Sequence, residues 1–136
     1  MRPIPQWQAF YMLMIMLVLQ ACAASNPLAQ AETVEQKAFA AYGTFVIFEE
    51  QAAKLIASGE LTNSQIRAIG RADARAKPVA DSLLEATLAF AEIRAEFEAG
   101  GTGEALFISA ANELNGWVER ALPLINNLVS SVQGAE

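Results

Sequence analysis

Between residues 79 and 97 the apolar side chains Val79, Leu83, Ala86, Phe90, Ile93 and Phe97 recur every three or four positions. Only an α-helix brings such a series onto one face, because its side chains advance about 100° per residue. Two more segments show the same period. The first contains Phe39, Tyr42, Phe45, Val46, Phe48, Ala52, Ala53, Leu55 and Ile56. The other contains Leu106, Ala110, Leu114, Trp117, Ala121, Leu124 or Ile125, Leu128 and Val132. No stretch alternates β-branched with polar residues, so no strand is expected. The pattern predicts an all-α fold, an antiparallel three-helix bundle whose short loops make consecutive helices neighbours.

The turn residues set the limits. Thr33 and Gln36 have capping-box spacing, which starts the first helix near Glu32, and Gly59 stops it after Ser58. Thr62 and Gln65 repeat that spacing and open a second helix reaching about Glu98. Pro78 lies inside it, so a kink or break is expected there. Gly100-Gly101-Thr102-Gly103 reads as a hairpin loop and not a phosphate cradle, since no strand precedes it and no lysine follows. The third helix runs from about Glu104 to Val132, bent at Pro123, with an irregular turn expected at Asn126-Asn127. Gly43, Gly70 and Gly116 fall inside helices, where glycine costs about 1 kcal/mol relative to alanine. Close helix crossings are the expected reason.

Ahead of the helices, Met12-Leu13-Met14-Ile15-Met16-Leu17-Val18-Leu19 is apolar, follows a thin n-region with Arg2, and ends near the only cysteine. It is shorter than the ~20 residues needed to span a bilayer and has the size of a secretory h-region. Leu19-Gln20-Ala21-Cys22 resembles the lipobox of bacterial lipoproteins. That resemblance covers residues 1–22 only. It implies cleavage before Cys22, acylation of that cysteine and tethering to a membrane, with Gln20 standing where a small or β-branched residue is more usual. Ala23, rather than aspartate, then implies the periplasmic face of the outer membrane. The competing reading is an uncleaved anchor helix. Residues 23–31 are small, polar and uncharged, a tether reaching at most ~30 Å. Residues 32–136 form the expected bundle domain.

Fifteen acidic residues against nine basic give a net charge of −6, which speaks against nucleic acid and anionic lipid as partners. One cysteine allows no disulfide framework within the chain, and histidine is absent. Neither a catalytic set, a metal-ligand spacing nor a cofactor motif is present. Glu49 and Glu50 are adjacent and point about 100° apart, so they do not share a site. The remaining candidates are contact residues: Phe45 and Phe48, from a run of four large apolar side chains, and Arg67, Arg71 and Arg75, spaced four apart. These arginines are expected either to pair with Glu49 or Glu50 across a helix hairpin or to form a patch for an acidic partner. The functional expectation is a lipid-anchored, non-catalytic envelope module that binds an envelope protein. The alternative is a phage or prophage lipoprotein serving superinfection exclusion or host lysis as a spanin-like subunit.

Cys22→Ser is expected to abolish incorporation of labelled fatty acid and to move the protein from the membrane pellet to the soluble fraction. Retention in the pellet would favour the uncleaved anchor.

Overall fold

The computed structural model describes the backbone of residues 27–136 and side chains from Glu32 onward; Cys22 and the apolar segment before it lie outside the described residues. The chain divides into two compact units, residues 1–33 and 34–136, and the second holds the bundle. Three helices make up the described chain: α1 (Pro27–Ser58), α2 (Asn63–Glu98) and α3 (Glu104–Gln133). No strand occurs among the described residues.

α1 begins five residues earlier than expected. Pro27 can start a helix because its missing N–H would have no intrahelical partner in the first turn. Residues 27–31 are therefore helical and not part of an extended tether, and Thr33 is inside the helix instead of capping it. The other boundaries follow their turn chemistry. Gly59 has φ of 74° and Gly100 of 78°, the left-handed conformation that ends α1 and α2. After Gly59 the Thr62 hydroxyl accepts from the Gln65 N–H at 3.3 Å, and the Gln65 side-chain carbonyl accepts from the Thr62 N–H at 2.9 Å. This is the expected capping box. At the second turn the Gly101 N–H donates to the Glu96 carbonyl at 2.8 Å. The Thr102 hydroxyl donates to the Glu96 carboxylate at 3.1 Å, so the glycine loop is latched to an acidic residue.

Pro78 and Pro123 do not break their helices. A helical proline leaves the carbonyl four residues earlier without its partner. Both prolines, and Ala74 and Glu119 four residues before them, are exposed, so water can take the freed carbonyls. Asn126 and Asn127 belong to regular helix, and the turn expected there is absent.

Two ion pairs set the direction of α1 against α2: Glu49 with Lys77, and Glu35, further back on α1, with Arg94, further on in α2. These two helices are antiparallel. α2 and α3 are antiparallel as well, since Phe107, just past the loop, stacks on Phe97 and Phe90 just before it, at centroid distances of 4.3 and 5.7 Å. α1 and α3 run side by side in the same direction: Ala41 and Thr44 share a groove with Leu122 and Ile125, and Leu55 and Ser58 lie beside Glu136.

The core combines small and large side chains. Ala38, Ala41, Phe45 and Ala52 are buried from α1; Ile69, Ala72, Ala76, Ala80, Leu83 and Phe90 from α2; Phe107, Leu114, Val118, Ala121, Ile125, Leu128 and Val132 from α3. Thr87 is buried too, its hydroxyl donating to the Leu83 carbonyl at 2.6 Å. Two details depart from the apolar pattern. Leu106 is 59 % exposed and Phe107 fully buried, because the aromatic ring stacks on the α2 rings where leucine could not. On α1 the apolar face is wider than its buried strip, leaving Phe39, Val46 and Ile56 outside.

Phe107→Ala removes the ring between Phe90 and Phe97 and is expected to cost about 3–5 kcal/mol, read as a lowered midpoint in urea unfolding. Leu106→Ala, one residue away, is expected to cost well under half of that.

Candidate interaction surface

Arg67, Arg71 and Arg75 occupy one exposed strip on the first third of α2. Like charges four apart on a helix repel by a few tenths of a kcal/mol, and cations near its N-terminus oppose the helix dipole. The expected relief through Glu49 or Glu50 is not what the structure contains. Glu49 pairs with Lys77, and Glu50 pairs with Lys54 on its own helix at 2.7 Å. The reason is rotational. Glu50 lies about 100° round α1 from Glu49 and points outward, and Lys77, six residues beyond Arg71, lies at the height where Glu49 reaches α2. Arg67 donates from Nε to the Asn63 carbonyl at 3.0 Å, and Arg71 and Arg75 make no ion pair among the described residues.

The other cations contrast with this strip. Lys54 and Lys77 have glutamate partners, Arg94 lies 2.6 Å from the buried Glu35, and the Arg120 guanidinium sits 4.1 Å from the Trp117 ring centroid. Arg94 also approaches Glu98 at 3.8 Å. Glu35 and Arg94 tie α1 to the loop end of α2, and losing Arg94 would leave the buried Glu35 carboxylate without its ion-pair partner. These pairs are structural. Lys37 on α1 is also exposed and outside these ion pairs, but it stands alone; the stripe is the place where three such cations share one helix face, on a chain of net charge −6.

The aromatic candidates are not at that surface. Phe45 is a core residue at 1 % exposure, with Tyr42 tilted against it at 6.4 Å, so it is unavailable to a partner. Phe48 is half-buried. The large apolar side chains that do reach solvent on α1 are Phe39, Val46, Ile47 and Ile56, of which Ile47 is the most exposed at 55 %. Sequence periodicity could have found them only with the phase of the helix known.

Near the Glu49–Lys77 pair, Asp73 is partly buried and its Oδ1 has no hydrogen-bond partner among the described residues. Burial pushes its carboxyl above the usual carboxylate range, the Glu49 charge adds to that, and Lys77 opposes it. The Glu49 carboxylate holds the Lys77 ammonium above its ordinary value. No group of three His, Cys, Asp or Glu side chains that could hold a metal occurs among the described residues. No helix among them is long and apolar enough to cross a membrane. The chain matches no protein-family model, no curated protein and no solved structure.

A carboxyl whose pKa is raised by folding works against the folded state once it ionises. Its cost is absent below the unfolded value and is fully present above the folded one. Asp73→Asn is therefore expected to raise the melting temperature at pH 7, with the gain shrinking as pH falls from the raised Asp73 value down to the ordinary carboxylate value. An equal gain at pH 7 and pH 3 would contradict this assignment.

Proposed function

We propose that this chain is a lipid-anchored module of the bacterial cell envelope that works by protein contact, with Cys22 as the acylated foot and the Arg67–Arg71–Arg75 strip as the contact. The observation that carries the reading is the strip itself: three exposed guanidiniums without a carboxylate partner on an acidic domain. Arginine matches carboxylate and phosphate geometry with paired N–H donors, and an exposed arginine row favours an acidic protein surface over a neutral one. Counting from Val34, α1 rises roughly 35 Å to its end at 1.5 Å per residue. The strip is near that far end, beside the Gly59 turn, a suitable place to meet a partner beyond the domain's own base. The net negative charge of the rest of the domain discourages unspecific adhesion to anionic lipid. The lipobox resemblance supports the address, and the contact chemistry supports the mode of action.

The test is recovery of envelope partners from intact cells by cross-linking and pull-down of the full-length protein. The variant carrying Arg67→Glu, Arg71→Glu and Arg75→Glu is expected to recover at least tenfold less of any wild-type partner, while staying in the membrane fraction with unchanged helix content. The wild-type interaction is expected to weaken as salt is raised. Equal recovery by variant and wild type would overturn the role of the strip.

A further inference from the structure

The exposed face of α2 carries opposite charges at its two ends. Arg67, Arg71 and Arg75 occupy the half nearer the Gly59 turn, and Glu85, Glu92 and Glu96 the half nearer the glycine loop; all six are exposed. At about 100° per residue they lie within roughly 90° of the direction opposite the buried line of Ile69, Ala72, Ala76, Ala80, Leu83 and Phe90. None of the six takes part in an ion pair among the described residues. Arg67 donates to the Asn63 carbonyl, and Glu96 accepts from the Thr102 hydroxyl. Asp81, between the two sets, is one turn from Lys77 and already lies in its field. The carboxylates of this face are therefore as unneutralised as its guanidiniums.

A partner for the arginines must present carboxylates, and a partner for the glutamates must present cations, in the reverse order along one surface. A second copy of α2, run antiparallel, meets both demands at once. With the two-fold axis between residues 81 and 82, Arg67 stands level with the second copy's Glu96, and Arg71 with its Glu92. Arg75 is then about 4.5 Å along the axis from the second copy's Glu85, within reach of two long side chains. Each pairing occurs twice, as a two-fold interface requires. A parallel arrangement would set arginine against arginine. Between the charges the face is shallow, since Gly70, Ala74 and Pro78 are exposed on it. A side chain at Gly70 would meet nothing within 4 Å, and the same holds at Gly43 and Gly116. The close crossings expected at these glycines inside the bundle are absent.

We infer that the acidic surface met by the arginine strip is α2 of a second copy of this chain, in an antiparallel pairing of the two charge-divided faces. This rests on the reading of the strip as a protein contact and not on the lipid foot. Exposed ion pairs contribute little each, so the pairing is transient and salt-dependent.

The test uses the full chain with Cys22→Ser in a non-ionic detergent, so that any introduced cysteine is the only thiol. Sedimentation equilibrium is expected to show reversible dimers at ~0.01 M salt, where charges act over ~30 Å, and at least tenfold weaker association at ~1 M, where they act over ~3 Å. One variant carries Arg67→Glu, Arg71→Glu and Arg75→Glu; the other carries Glu85→Arg, Glu92→Arg and Glu96→Arg. Each alone is expected to associate at least tenfold less than wild type, with unchanged helix content. Mixed in equal amounts they are expected to form a heterodimer at least as readily as wild type, because every reversed strip then faces its opposite. A short bismaleimide is expected to link Ala74→Cys copies to Ala89→Cys copies in a mixture. It is expected to link neither to itself, since antiparallel copies hold like positions about 22 Å apart. A wild type that stays monomeric at low salt, or a mixture that associates no better than its components, would overturn the pairing. So would linking of Ala74→Cys to itself. Loss of envelope partners by the arginine variant beside such a result would leave the strip to a different acidic protein, and no loss would remove both readings.

Discussion

Everything in this bundle is placed by the alanine seam on α2. Ala72, Ala76 and Ala80 are nearly or fully buried at successive turns of one face, and Leu83 and Phe90 continue the line with larger side chains. Small residues let the neighbouring helices come close at the Gly59 end, where α1 supplies Phe45 and Ala52 and α3 supplies Leu128 and Val132. At the other end the sizes reverse: Phe90 and Phe107 come from α2 and α3, and α1 contributes Ala38 and Ala41. Large against small at each level lets the side chains of three helices interdigitate. A core of this kind tolerates neither an added methylene at Ala76 nor a lost ring at Phe107.

The seam also decides what faces out. With Ala72, Ala76 and Ala80 turned inward, Lys77 is turned toward Glu49 at the edge of α1, and Arg67, Arg71 and Arg75 are turned to solvent. With Ala38, Ala41, Phe45 and Ala52 turned inward on α1, Phe39, Gly43, Val46 and Ile47 have no place in the interior. Two different surfaces thus follow from one core. One is a cationic strip on α2, and the other is an uncharged apolar face on α1. Both prolines fall on outer faces for the same reason, and the helices pass through them intact.

Much of the architecture was legible in the residues. Three helices, two glycine stops and the Thr62–Gln65 cap follow from local chemistry, where the deciding contacts lie within four residues. What was not legible depends on rotation about helix axes. Leu106 and Phe107 are both apolar neighbours, and only the α2 rings decide that Phe107 goes inside. Glu49 and Glu50 are both acidic neighbours, and only the facing helix decides that Glu49 crosses to Lys77 while Glu50 stays with Lys54. The same ambiguity put Phe45 among the contact residues, although it is core. Thr33 had the spacing of a cap, but Pro27 had already started the helix. The arginine row could be found from its spacing, and its lack of partners could not.

Amide hydrogen exchange across α2 tests the seam most directly. If Ala72, Ala76 and Ala80 hold one continuous helix against both neighbours, amides from Ala72 to Thr87 should exchange only through global unfolding, with one common protection on both sides of Pro78. Two separate protection levels meeting at Pro78, with the Arg67–Lys77 stretch opening on its own, would contradict the account.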